Sequence, residues 1–107
     1  MDYTDRLRRL AINDARFSET SPGQHGLHPE ALDSKSLALV RLAALIAVGG
    51  AVPSFGAQVD AAVSAGASAT EIVDVLVGVI PAVGLPCVVT AAPRVALALG
   101  YDVESDF

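Results

Sequence analysis

Few side chains in this sequence are able to do chemistry. Arg41 stands in a segment, 34–48, that is otherwise apolar nearly all round. A guanidinium in apolar surroundings needs a counter-charge, because an unpaired buried cation is costly. Either an anionic ligand supplies it, or Asp60, Glu71, Asp74 or a neighbouring subunit does so structurally; structural pairing is the commoner use of a buried arginine. Ser54 and Gln58 are spaced i, i+4 and share one side of a helix. At about 100° per residue Gln58 lies about 40° from Ser54, beside the apolar arc of Phe55, Val59 and Ala62. Two polar groups on an apolar wall suit small-ligand recognition. The competing reading has them bonded to the backbone or to each other.

Cys87 follows Pro86 at the start of an apolar run. A helix N-terminus favours the thiolate, which makes Cys87 a candidate reactive thiol, although a free cysteine more often behaves as a small buried apolar group. It has no second cysteine to resolve an oxidised sulfur and none with which to form an internal disulfide. His25 and His28 form His-Gly-Leu-His, with Glu30 or Asp33 as the nearest further ligands. Zinc needs a fuller set than this, so no metal and no cofactor is expected.

Composition limits the classes of function. In 107 residues there are 12 acidic and 7 basic side chains, a net charge of −5. That balance argues against nucleic-acid binding, which requires clustered Lys and Arg. The hydrophobic set makes up 52% of the chain, mostly Ala, Val and Leu, yet between positions 42 and 93 the only charges are Asp60, Glu71 and Asp74. A small monomer exposes most of its residues, so this surface would be widely apolar and would mark a contact with protein or membrane. The uncharged stretch 75–93 is the one membrane candidate, but it contains Pro81, Pro86 and Pro93, has no flanking Trp or Tyr, and has no Lys or Arg cluster to set an orientation. Burial against further copies of the chain is the expectation. The charged N-terminus has no apolar secretory core, which predicts a cytoplasmic protein.

The elements that position these residues read as helices. Residues 2–19 form a charged amphipathic helix with Leu7, Leu10 and Ile12 on its apolar side, and 20–32 form a Pro- and Gly-containing loop. Asp33 is placed to cap the helix 34–48, which is expected to be central and to end at Gly49-Gly50. Pro53 fits the first turn of the next helix, where Phe55, Val59, Ala62 and Val63 recur at helical spacing before Gly66. Ser68-Ala69-Thr70-Glu71 is a capping box ahead of Ile72, Val75, Leu76, Val79 and Ile80. Val73, Val75, Val77 and Val79 also alternate as a strand would, but the cap and the absence of a partner strand decide for helix. A last helix runs from about Pro86 to Leu99, with Pro93 as a kink, and closes at Gly100. The fold class is all-α, about five helices, with 1–31 an N-terminal helix and loop and 32–107 the main helical domain.

Two stretches carry a resemblance. Residues 32–43, Leu-Asp-Ser-Lys-Ser-Leu-Ala-Leu-Val-Arg-Leu-Ala, and residues 60–76, which contain Ala65-Gly66-Ala67-Ser68-Ala69-Thr70-Glu71-Ile72, resemble the carboxymuconolactone decarboxylase and alkylhydroperoxidase D-like family. Gly84-Leu85-Pro86 resembles that family's Gly-aromatic-Pro step, and the likeness extends to about residue 99. It implies an all-helical homotrimer or homohexamer. The peroxidase branch of the family carries Cys-x-x-Cys-x-x-x-His at the start of its site helix, with a Glu about three turns upstream. The corresponding positions here hold Ala51, Ser54 and Gln58, and the upstream Glu falls at Leu39 or Ala38. None of these can attack peroxide or relay its proton. The acidic and His residues of the decarboxylase branch also have no counterpart at the matching places. The resemblance makes Arg41 a clamp for a carboxylate. The reading that follows is a non-redox homo-oligomeric binding or accessory protein for a small organic acid, held by Arg41, Ser54 and Gln58, with no catalytic residue assigned. The alternatives are a decarboxylase or lactone-transforming enzyme without cysteine chemistry, a divergent alkylhydroperoxidase-like protein, and a purely structural subunit.

Overall fold

A computed structural model describes residues 2–12 and 28–101. Among these residues there are five helices and no strand: α1 (Tyr3–Ala11), α2 (Ser34–Val48), α3 (Val52–Ser64), α4 (Ala69–Val83) and α5 (Leu85–Ala98). The chain divides between Ala31 and Leu32 into two compact units.

In the first unit the Asp2 carboxylate accepts the Asp5 backbone N–H at 2.9 Å and so starts α1. The helix is shorter than the 2–19 expected from its charge pattern: Ile12 caps its end, and positions 13–19 lie outside the described residues. Nothing on α1 is buried within the chain; Leu7 and Leu10 are 62% and 58% exposed. Of the loop expected at 20–32, residues 28–32 are irregular and 20–27 lie outside the described residues. Arg6 ties the unit together, pairing with Glu30 at 2.8 Å and donating to the His28 carbonyl at 2.7 Å. Arg9 pairs with Asp5 one turn away at 3.5 Å.

The second unit is a cluster of four helices in which every pair is in contact. Its core is drawn from all four: Ala38, Leu42 and Ile46 of α2, Phe55, Val59 and Ala62 of α3, Ile72 and Leu76 of α4, and Val88, Ala91 and Val95 of α5. These positions recur three or four apart, the spacing of one helical face. The capping signals operate as their chemistry dictates. Asp33 accepts the Ser36 N–H at 2.7 Å, and Ser68 and Glu71 exchange hydrogen bonds at 3.1 and 3.0 Å. After α3, Gly66 takes a left-handed φ of 100°. Its N–H reaches the Val63 carbonyl and the Ala67 N–H reaches that of Ala62, which together form a Schellman stop.

Two expectations of burial are corrected. The segment 34–48 was expected to bury most of its circumference, but it packs through the single line Ala38–Leu42–Ile46 and leaves Val40, Arg41, Ala44, Ala47 and Val48 exposed. With three partner helices all on one side, the rest of a helix has nothing to pack on. Val63 is 50% exposed for the same reason, being one position round the helix from the buried Ala62. The last helix agrees with its expected span to within one residue, running Leu85–Ala98 with Pro93 inside it and Leu99 as its C-cap. The apolar run 75–93 is divided at Gly84 between α4 and α5, and no helix among the described residues is long and apolar enough to cross a membrane.

Candidate functional site

The turn between α2 and α3 builds the site. Gly49, with φ 83°, stops α2, and its N–H bonds to the Leu45 carbonyl at 2.8 Å. Four residues later Pro53 sits in the first turn of α3, where it needs no donor. A Cβ at Gly50 would lie 2.6 Å from Leu45 Cδ1, so a larger residue there displaces the end of that side chain. The Gly50 carbonyl is held by Arg94 of α5, whose Nη1 donates to it at 2.7 Å. The sequence reading missed Arg94. Its signal was present, a lone cation following the long uncharged run, but a cation bonded to a backbone carbonyl forty-four residues away leaves no local pattern.

Between the two helices lies an open cleft of about 530 Å³. From α2 it receives Arg41, Ala44, Leu45 and Val48, which follow one another at i, i+3, i+4 and i+7; from α3 it receives Ser54, Ala57 and Gln58. Arg41, Ser54 and Gln58 are therefore brought to one cavity. Phe55, on the same helix, is wholly buried in the core and does not line the cavity.

The electrostatics correct the picture of a buried arginine. Arg41 is exposed, and among the described residues it has no ion-pair partner. Of the carboxylates that might have paired with it structurally, Glu71 is held by Lys35 at 3.0 Å and by the capping box, and Asp60 and Asp74 are exposed and make no ion pair. The backbone N–H of Ser68, and then Lys35, hold the Glu71 carboxyl below its ordinary value of 4.5. Among the described residues the side chains of Ser54 and Gln58 make no hydrogen bond, to each other or to the backbone. The arrangement thus offers a cation, a hydroxyl and an amide, all unengaged by the protein, on a wall otherwise made of Ala, Leu and Val.

Cys87 lies elsewhere. It is half-buried in a second, smaller depression of about 270 Å³, with Ile46, Ala47, Gly49, Pro86 and Thr90. Val48 borders both depressions, but neither Arg41, Ser54 nor Gln58 lines the one that holds the thiol. Of the positions the resemblance gives to redox chemistry, Ala51 caps the start of α3, Ala38 is buried, and Leu39 is half-buried against the core. His28 is exposed and engaged through its carbonyl, and His25 lies outside the described residues. No group of three His, Cys, Asp or Glu among the described residues is placed to hold a metal.

No curated protein and no solved structure gives a significant match to this chain. A family match does exist and covers well over half of the sequence, residues 15–98, taking in all of α2, α3, α4 and α5 and beginning ahead of the motif at 32–43. The helical bundle, its caps and the sequence that encodes them agree with that match, and the chain belongs to the carboxymuconolactone decarboxylase family.

Proposed function

We propose that the protein is a non-redox binding or accessory member of its family that holds a small organic acid in the cleft between α2 and α3. The supporting observation is the convergence on one cavity of an unpaired guanidinium with the unengaged Ser54 hydroxyl and Gln58 amide. Arg41 pairs with the carboxylate, Ser54 and Gln58 orient a second polar group, and the Ala44, Leu45, Val48 and Ala57 side chains cover the body of the ligand. The same three groups include no base to activate the Ser54 hydroxyl and no proton relay, which is why binding is favoured over turnover. The protein works as a homotrimer or homohexamer, since Val40, Val48, Val73, Val77, Val89 and Leu97 are all exposed on a single chain.

Two-dimensional NMR with hexanoate as the probe tests this reading. Amides around Arg41, Leu45, Ser54 and Gln58 are expected to shift saturably, and Arg41→Ala to abolish the shifts while leaving the circular dichroism spectrum and native mass unchanged. Shifts that persist in Arg41→Ala contradict the carboxylate clamp; loss of the oligomer in that variant shows Arg41 to be structural.

A further inference from the structure

Resting on the binding reading above, we infer that the cleft selects monocarboxylates with an apolar body over dicarboxylates. Three observations carry the inference. First, among the described residues Arg41 is the only charged one lining the cleft. The other described cations of this unit are committed elsewhere, Lys35 to Glu71 and Arg94 to the Gly50 carbonyl, and neither lines the cleft. A second carboxylate would therefore find no counter-charge, in a protein whose net charge is already −5.

Second, the cleft is amphipathic along its length. Arg41 marks one end of the α2 wall, and Ala44, Leu45 and Val48 continue it toward the turn, about 10 Å away at 1.5 Å per residue. That distance suits a chain of about five to seven atoms behind the carboxylate. Third, toward the α2–α3 turn, remote from Arg41, the cleft is lined by Val48 and Ser54, and the polar side chain there is a neutral hydroxyl. A hydroxyl can bond a neutral oxygen there, but it cannot balance a charge.

The test is a titration of the wild-type protein and Arg41→Gln at pH 7 with hexanoate, hexanedioate and 1-hexanol, followed by the amide resonances of the cleft. Hexanoate is expected to bind about tenfold more tightly than hexanedioate and than hexanol, and Arg41→Gln to remove the advantage over hexanol. Hexanedioate binding as tightly as hexanoate or more so, with the dependence on Arg41 kept, overturns the monocarboxylate preference and leaves the binding reading standing. If hexanoate and hexanol bind alike, or hexanoate binding is indifferent to Arg41→Gln, both fall. Arg41 is exposed and unpaired, so its replacement is not expected to unfold the protein.

Discussion

At the scale of single residues, two arginines of opposite character define the neighbourhood of the cleft. Arg41 is free to meet a ligand; Arg94 is half-buried and committed to the Gly50 carbonyl. Arg94→Met keeps the apolar stem and removes the donor, leaving a carbonyl unsatisfied at the turn. It is expected to cost about 1–2 kcal/mol in urea unfolding and to weaken hexanoate binding through the displaced turn. Arg94→Lys is expected to recover part of both, and a variant as stable as wild type would show the bond to be idle. Phe55 has no such latitude. It is fully buried where α3 meets the core, so Phe55→Ala is expected to lose about 3–5 kcal/mol, much of the net stability of a domain this size. Arg41 was legible in the sequence as an anomaly in an apolar helix. Its exposure was not, because a segment apolar nearly all round does not mark which of its faces is covered, and the structure buries only the line Ala38–Leu42–Ile46.

The helices are held at their ends, and here charge and pH enter. Asp33 and Glu71 both lie below their ordinary values of 3.8 and 4.5, chiefly because each accepts a backbone N–H of the helix it caps. A carboxyl depressed in the folded state stabilises the fold above its unfolded pKa, and that stabilisation is lost as pH falls through the folded value. Stability is therefore expected to be level near neutrality and to decline with acidification below about pH 4.5. Glu71→Gln retains an acceptor for the cap but removes the charge facing Lys35. The variant is expected to be less stable than wild type at pH 7 and to converge with it at low pH; a gap that stays constant with pH would contradict this. At the α2–α3 turn, Gly50→Ala requires Leu45 Cδ1 to swing aside. Leu45 lines the cleft, so this substitution is expected to change probe affinity more than stability, as measured by titration beside urea unfolding.

At the scale of the molecule, the apolar excess has no outlet within one chain. Among the described residues twelve form the buried core, while Val48 is 81% and Val89 61% exposed. Native mass spectrometry at micromolar concentration is expected to find multiples of the 10.9 kDa chain, a trimer or hexamer dominating. A persistent monomer would require another explanation for that surface. The same spectra under denaturing conditions would release any acid carried from expression and give its mass.

The sequence by itself determined where the helices of the second unit begin and end, because caps are local chemistry: Asp33, Ser68-Glu71, Gly66 and Pro53 each act within four residues of themselves. It also determined the family, through the spacing of those signals, and the identity of the three polar residues that share the cleft. Only the tertiary structure decided that Arg41 faces outward and unpaired, that Phe55 leaves the cavity open, that Cys87 lies in a different depression, and that Arg94 braces the turn. Each of these depends on which helix faces are covered by residues distant in the chain, information that no window of one helix contains.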